Sequence, residues 1–254
     1  MKTWLHRKFA VLMFAILAFR LTGLCFGQAT GDGALLFKSS PPGAAKPISA
    51  SRMVAPQSGN LLSADASAWV DLMPHDSLQG WTRVAIPPEK PLDPVSQWKL
   101  DKKNGTILCE GNHGHEWLRY DRELTNFLLH VEWRFEKREG LKGYNSGVFV
   151  RNDLTGRVWH QAQVGPAVYI FGQTLIHGEL TPILKTAPPE ENPLQPIGEW
   201  NTYEIRCDGP KIVLWVNGHK AAEFAAPEVP KGYWGLEAEG FRIEFRNIKI
   251  KIVP

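Results

Sequence analysis

Three consecutive stretches, GEWNTYEIRCDG (198–209), KIVLWVNGHKAAEF (211–224) and GYWGLEAEGFRIEFRNIKIKI (232–252), decide the class of this chain. In Tyr203-Glu204-Ile205-Arg206-Cys207 the odd positions are apolar and the even ones charged, which is the period of a strand with one packed face. Asn217-Gly218 lies between the apolar runs Ile212–Val216 and Lys220–Phe224. It is the pair a type I′ hairpin turn needs, because both central residues take positive φ. Further on, Phe241, Ile243 and Phe245 share one phase and Ile248, Ile250 and Ile252 the other. The pleat must therefore slip near Arg246-Asn247, at a bulge or a change of sheet.

Working outward, apolar, alternating or turn-bounded stretches recur at about 98–101, 106–109, 116–120, 127–136, 146–151, 158–164 and 167–171, ahead of the closing strands at 202–207, 211–216, 220–224, 233–238 and 241–252. No helical period competes with them. Many short strands with turn residues between them predict an all-β domain of two antiparallel sheets, a β-sandwich or jelly roll. Pro182, Pro188, Pro189, Pro193 and Pro196 mark residues 181–199 as a loop.

A chain of 254 residues with 43% hydrophobic content can bury a full core. The net charge is +3, and basic residues do not cluster beyond Lys102-Lys103, which gives no electrostatic footprint for nucleic acid. At the N-terminus Lys2, His6, Arg7 and Lys8 precede an apolar run, Phe9–Phe19, and then small residues near Gly23, Gly27 and Ala29. That pattern predicts a signal peptide over 1–29, hence export to the periplasm, cell surface or medium and no transmembrane span in the mature chain. The run is short of the ~20 residues that cross a bilayer, and Arg20 interrupts its continuation. Residues 30–67, rich in Ala, Ser, Pro and Gly, read as a flexible spacer, with the folded domain over 68–254. Cys109 and Cys207, each on an expected strand, are either a disulfide or two small buried residues that never meet.

From Ala68 to Lys251 the chain resembles the bacterial 3-keto-disaccharide hydrolase family, also described as 3-keto-glucoside lyases and 3-keto-2-hydroxy-glucal hydratases. The resemblance is carried in order by Asp71-Leu72-Met73 through Leu78-Gln79-Gly80-Trp81, by Trp98-Lys99-Leu100 with Asn104-Gly105-Thr106-Ile107, and by Phe127–Phe135. It continues through Asn145–Arg151, Trp200–Ile205, Val216-Asn217-Gly218, Gly235-Leu236-Glu237 and Phe245-Arg246-Asn247-Ile248. It implies a concanavalin A-like jelly roll and an exported enzyme that cleaves 3-keto-glycosides, by hydrolysis or by elimination and hydration. The alternative is a non-catalytic carbohydrate-binding or interaction module, since one fold hosts many functions. Two positions depart from the family pattern. Gln161 stands where a carboxylate is common, and Glu237 where an amide is common.

The candidate chemistry lies on polar strand faces. His130, Glu132 and Arg134 share one face, where a carboxylate beside a guanidinium is either a base with an electrostatic clamp or a solvated ion pair. Asn145, Gly147, Phe149 and Arg151 share another, with Gly147 leaving room for close approach. Gln161 and Gln163 point two amides the same way, suited to sugar hydroxyls, and Glu237 and Glu239 share a strand face. Cleavage of a 3-keto-glycoside needs a base near C2, a donor to the ketone oxygen and an acid near the leaving group. The resemblance points to Glu132 or Glu237 as the base and to Arg134 or Arg151 at the ketone. Asn145, Gln161, Gln163, His177 and Glu239 are left to contact substrate. If that reading holds, Glu132, Arg134, Asn145, Arg151, Gln163 and Glu237 must converge on one pocket.

His113-Gly114-His115-Glu116 gathers ligand-type residues, which leaves a divalent metal possible, but without a distant partner it defines no metal site. Among the ten tryptophans, Trp81, Trp133 and Trp215 fall in apolar phases and read as core, whereas Trp117, Trp159 and Trp234 are candidates to line a cleft. No G-x-S-x-G elbow and no phosphate-binding glycine loop occurs.

Overall fold

The structure is a computed structural model that describes residues 68–225 and 228–254. The expected signal peptide and spacer lie outside the described residues. Fifteen strands run in chain order: β1 Val70–Asp71, β2 Trp81–Ala85, β3 Trp98–Asp101, β4 Thr106–Cys109, β5 Glu116–Tyr120, β6 Phe127–Phe135, β7 Ser146–Asn152 and β8 Trp159–Val164, followed by β9 Ile170–Ile176, β10 Glu179–Ile183, β11 Asn201–Asp208, β12 Lys211–Val216, β13 His219–Ala225, β14 Tyr233–Ala238 and β15 Ile243–Ile252. They form two antiparallel sheets. One has the order β13-β12-β11-β6-β15-β4-β3, with β1 added against β15, and the other the order β10-β9-β8-β7-β14-β5-β2.

The inner faces of both sheets meet in one apolar core. Leu129, Val131, Trp133 and Phe135 of β6 pack there with Val148 and Val150 of β7, Ala162 and Val164 of β8, and Trp234 and Leu236 of β14. Because side chains alternate along a strand, the residues between these face away from the core. This fixes where each candidate group can act. Even-numbered β6 residues open on the far side of one sheet, and odd-numbered residues of β8 and β14 on the far side of the other. Tyr203 of β11 ties the sheets together, its buried hydroxyl donating to the carbonyl of Gln163 on β8.

The hairpin anticipated at Asn217-Gly218 is present, with φ of 49° and 83° and Val216 paired to His219. The slip near Arg246-Asn247 is a register shift in the β15 pairing with β6, with Asn247 at φ 49°. Elsewhere the expectation fails. Residues 181–183, read as loop, belong to β10, which closes a hairpin with β9. Pro182 is tolerated because β10 is the edge of its sheet, where one side of the backbone needs no ladder partner. Strand β2 was also missed, and Trp234, offered as a cleft residue, is fully buried in the core. Cys109 and Cys207 are both free and buried, and burial pushes each thiol up to about 12.

Candidate active site on the seven-stranded sheet

The outward face of the seven-stranded sheet carries a cavity of about 480 Å³. Its polar side is built from four chain segments. His115, just before β5, sits 2.8 Å through Nε2 from Oε1 of Glu237 on β14. These residues are 122 positions apart in the chain, and the pairing of Glu237 with Trp117 across β14 and β5 is what brings them together. The second oxygen of Glu237 accepts from Nε2 of Gln161 at 2.7 Å, and Gln163 donates in turn to Oδ1 of Asn145. Ser146 Oγ donates to the backbone carbonyl of Glu237, pinning β7 to β14 at the same level.

Gln161 and Glu237 belong to β8 and β14, and β7 runs between them. The side chains meet because the residue they cross is Gly147. A Cβ there would stand 2.5 Å from Gln161 Nε2, closer than real contacts allow. The two departures from the family pattern are thus a single pair, an amide and a carboxylate that hold each other.

Electrostatics set this group apart. Burial pushes the Glu237 carboxyl above its usual range, and the hydrogen bonds from His115 and Gln161 only partly oppose it. Burial works against the protonated imidazole of His115, yet Glu237 and Glu239 outweigh it and raise that ring. Glu239, half-buried at the end of β14, is raised by its own burial and by the charge of Glu237. A carboxyl raised by burial beside a histidine raised by its acidic neighbours sets groups able to exchange a proton in one cleft. One ligand atom each from His115, Glu237 and Glu239 lie within 4.8 Å of one another, so these three are also the residues that could hold a divalent ion.

The floor of the cavity and its side along β8 and β9 are aromatic. Trp117 and Phe149 lie buried in the floor with ring centroids 5.5 Å apart, and Trp159, Phe171 and Tyr169, half-buried, rise from them. Lys185 closes the row, its ammonium 4.5 Å above the Tyr169 ring. His115, with Ala85 and Ile86, also borders a second hollow of about 410 Å³ that contains Lys90, Asp93 and His113.

Of the residues expected to converge, Asn145, Gln163 and Glu237 do so, together with Gln161 and Glu239. The others do not. Glu132 and Arg134 face away from the core on the opposite sheet, where Glu132 accepts from Arg246 and Asn247 and Arg134 is paired with Glu244. The guanidiniums of Arg134 and Arg246 lie 4.6 and 3.8 Å from the ring centroid of Trp200. Arg151 leaves its expected face because its backbone is left-handed, with φ 53°. Its side chain is buried and donates to the carbonyls of Gly209, Val229 and Thr125. His177 sits in the exposed β9–β10 turn, with its backbone N–H donating to Glu228. The residue missed was His115. Its signal was the ligand-rich 113–116 run, whose distant partner no local pattern reveals.

The chain is thus a two-sheet jelly roll with a titratable, amide- and aromatic-lined cleft on one outer face. Residues 68–251 match the family described as 3-keto-alpha-glucoside-1,2-lyase-like domain, and the chain belongs to that family. Among solved structures, a candidate glycosyl hydrolase from Parabacteroides distasonis ATCC 8503 is 18% identical, with a TM-score of 0.52, over 75% of this chain and 96% of that one. A carbohydrate-binding module, CBM66 from Bacillus subtilis, is 13% identical with a TM-score of 0.50, over 68% and 95%. At these identities the likeness is one of fold. No curated protein matches the chain. Among the described residues no helix is long and apolar enough to cross a membrane.

Proposed function

We propose that the cavity cleaves 3-keto-glycosides by elimination. The observation that carries this reading is the His115–Glu237–Glu239 group, three titratable side chains gathered within 4.8 Å in the cavity and each shifted upward. A ketone at C3 acidifies the hydrogen on C2. His115, with Nε2 held by Glu237, takes that proton on Nδ1, and Glu237 stabilises the imidazolium that forms. The C2–H electron pair becomes the C1–C2 double bond as the bond from C1 to the leaving oxygen breaks. Glu239, held toward its neutral form, protonates that oxygen. Asn145, whose Oδ1 is engaged by Gln163, keeps Nδ2 for the ketone or a hydroxyl. Water then adds to the enone.

Ordinary glycoside hydrolysis is the weaker fit. It needs two carboxylates on either side of the scissile bond, ~5–5.5 Å apart for retention or ~6.5–9.5 Å for inversion. Glu237 and Glu239 project from one strand end with oxygens within 4.8 Å. The test is incubation of the purified protein with a 3-keto-glucoside, with and without chelator, following the enone by absorbance. Enone formation that is lost in Glu237→Gln supports the reading, and dependence on an added divalent ion would recast the three residues as ligands. Binding without turnover would favour the lectin-like alternative, which the amide and aromatic lining also suits. We further propose that the chain is exported, on the pattern of residues 1–29. N-terminal sequencing of the mature protein checks this, and an intact Met1 would refute it.

A further inference from the structure

The cavity has two unlike sides, and we infer that the aromatic side along β8 and β9 is a subsite for an aromatic leaving group, which makes aryl glycosides the preferred substrate class. The inference rests on the reading of the polar side as the place where a glycoside is cleaved. At about 480 Å³ the cavity exceeds what one pyranose fills. With the sugar over His115, Gln161 and Glu237, the remaining space runs along Trp159 and Phe171 to Tyr169. Trp159 and Phe171 stand nearly perpendicular, 88° between planes and 5.2 Å between centroids, and Tyr169 lies 5.4 Å beyond Phe171. These rings are half-buried and line the cavity, whereas Phe149 beneath them is buried. A third aryl ring can meet this wall face-on or edge-on, the arrangements that ring quadrupoles favour.

The chemistry agrees with the placement. On elimination the C1–oxygen bond breaks with both electrons going to oxygen, and an aryl oxygen carries that charge better than an alkyl one. Proton removal at C2 and departure at C1 then balance without oxidant or reductant, giving a phenol and the enone.

The test uses the whole protein and calorimetry with unoxidised phenyl glucoside, methyl glucoside and trehalose, in parallel with kcat/KM on the matching 3-keto-glycosides. The expectation is that phenyl glucoside binds about tenfold more tightly than methyl glucoside. Trp159→Leu and Phe171→Leu should each reduce that advantage to about threefold or less while leaving methyl glucoside binding unchanged. Equal affinity for phenyl and methyl glucosides overturns the inference, as does equal loss on both in the two variants. Tighter binding of trehalose, abolished by Asp93→Ala in the second hollow, overturns it in favour of a sugar leaving group. A retained phenyl preference with no turnover of any 3-keto-glycoside refutes the elimination reading and leaves the aromatic subsite standing.

Discussion

A histidine–carboxylate group stands on the outer face of each sheet, His130 with Glu132 and Glu204 on one and His115 with Glu237 on the other, and the two behave oppositely. On the eight-stranded sheet His130 lies between Glu204 and Glu132, and Glu132 is also held by Arg246 and Asn247. Burial opposes ionisation of Glu132, but Asn247 and Arg246 outweigh it and hold the carboxyl below its usual range. On the seven-stranded sheet Glu237 has no guanidinium partner among the described residues, and burial raises it. The same residue types therefore give a carboxylate fixed in its charged form on one face and an exchangeable proton on the other. A charge already neutralised by arginine has little left to offer a substrate, whereas one strained by burial beside a histidine can move a proton.

The sharpest way to break this contrast is to neutralise each acid in turn. Glu237→Gln and His115→Asn should each lower kcat/KM for a 3-keto-glycoside by about 10²–10⁴-fold. Glu132→Gln and Arg134→Gln should stay within about threefold, since surface ion pairs contribute little. Comparable losses on both faces would erase the distinction. Next in size is Arg151→Met, which leaves three backbone carbonyls without their donor and should cost on the order of 3 kcal/mol in denaturant unfolding with kcat unchanged.

His160, buried beneath β9 and bonded to Thr174, tests the same physics through stability. Burial lowers its pKa from 6.5 to about 4. A group whose protonated form the fold disfavours contributes stability above its unfolded pKa and loses it as pH falls through the folded one. The unfolding free energy should thus drop by roughly 3 kcal/mol between pH 6.5 and 4, a loss that His160→Gln should flatten. Gly147→Ala should cost about 10–100-fold in kcat/KM, a loss of positioning, because the new methyl displaces Gln161 from Glu237. The smallest effect is on pH dependence. His115 must be neutral to act as base, so activity declines as pH falls through its raised pKa. The acid limb of the kcat/KM profile should therefore lie above the usual imidazole range.

How far the sequence reached follows the same line between local and non-local. The Asn217-Gly218 hairpin and the slip at Arg246-Asn247 were legible because turn chemistry and a change of phase are local signals. Strand β10 was not, because a proline reads as a breaker unless one knows that the strand lies at a sheet edge. For the site, period-two alternation showed that Glu132, Arg134, Gln161, Gln163 and Glu237 sit on polar faces. It could not show that the first two belong to a different face from the rest, because sheet membership is decided by pairings such as β6 with β11 and β14 with β7. Arg151 escaped for another reason, since its left-handed backbone breaks the alternation on which the reading depended. Gln161 and Glu237 each stood out against the family pattern, but their contact exists only once Gly147 lets them cross β7.

The most direct test of the account is the rate of enone formation from a 3-keto-glycoside, measured in deuterated buffer by proton NMR for wild type, Glu237→Gln and Glu132→Gln. The account predicts loss of the C2 proton together with enone in the wild type and in Glu132→Gln, and neither in Glu237→Gln. Cleavage with the C2 proton retained, or a Glu132→Gln variant as inactive as Glu237→Gln, would contradict it.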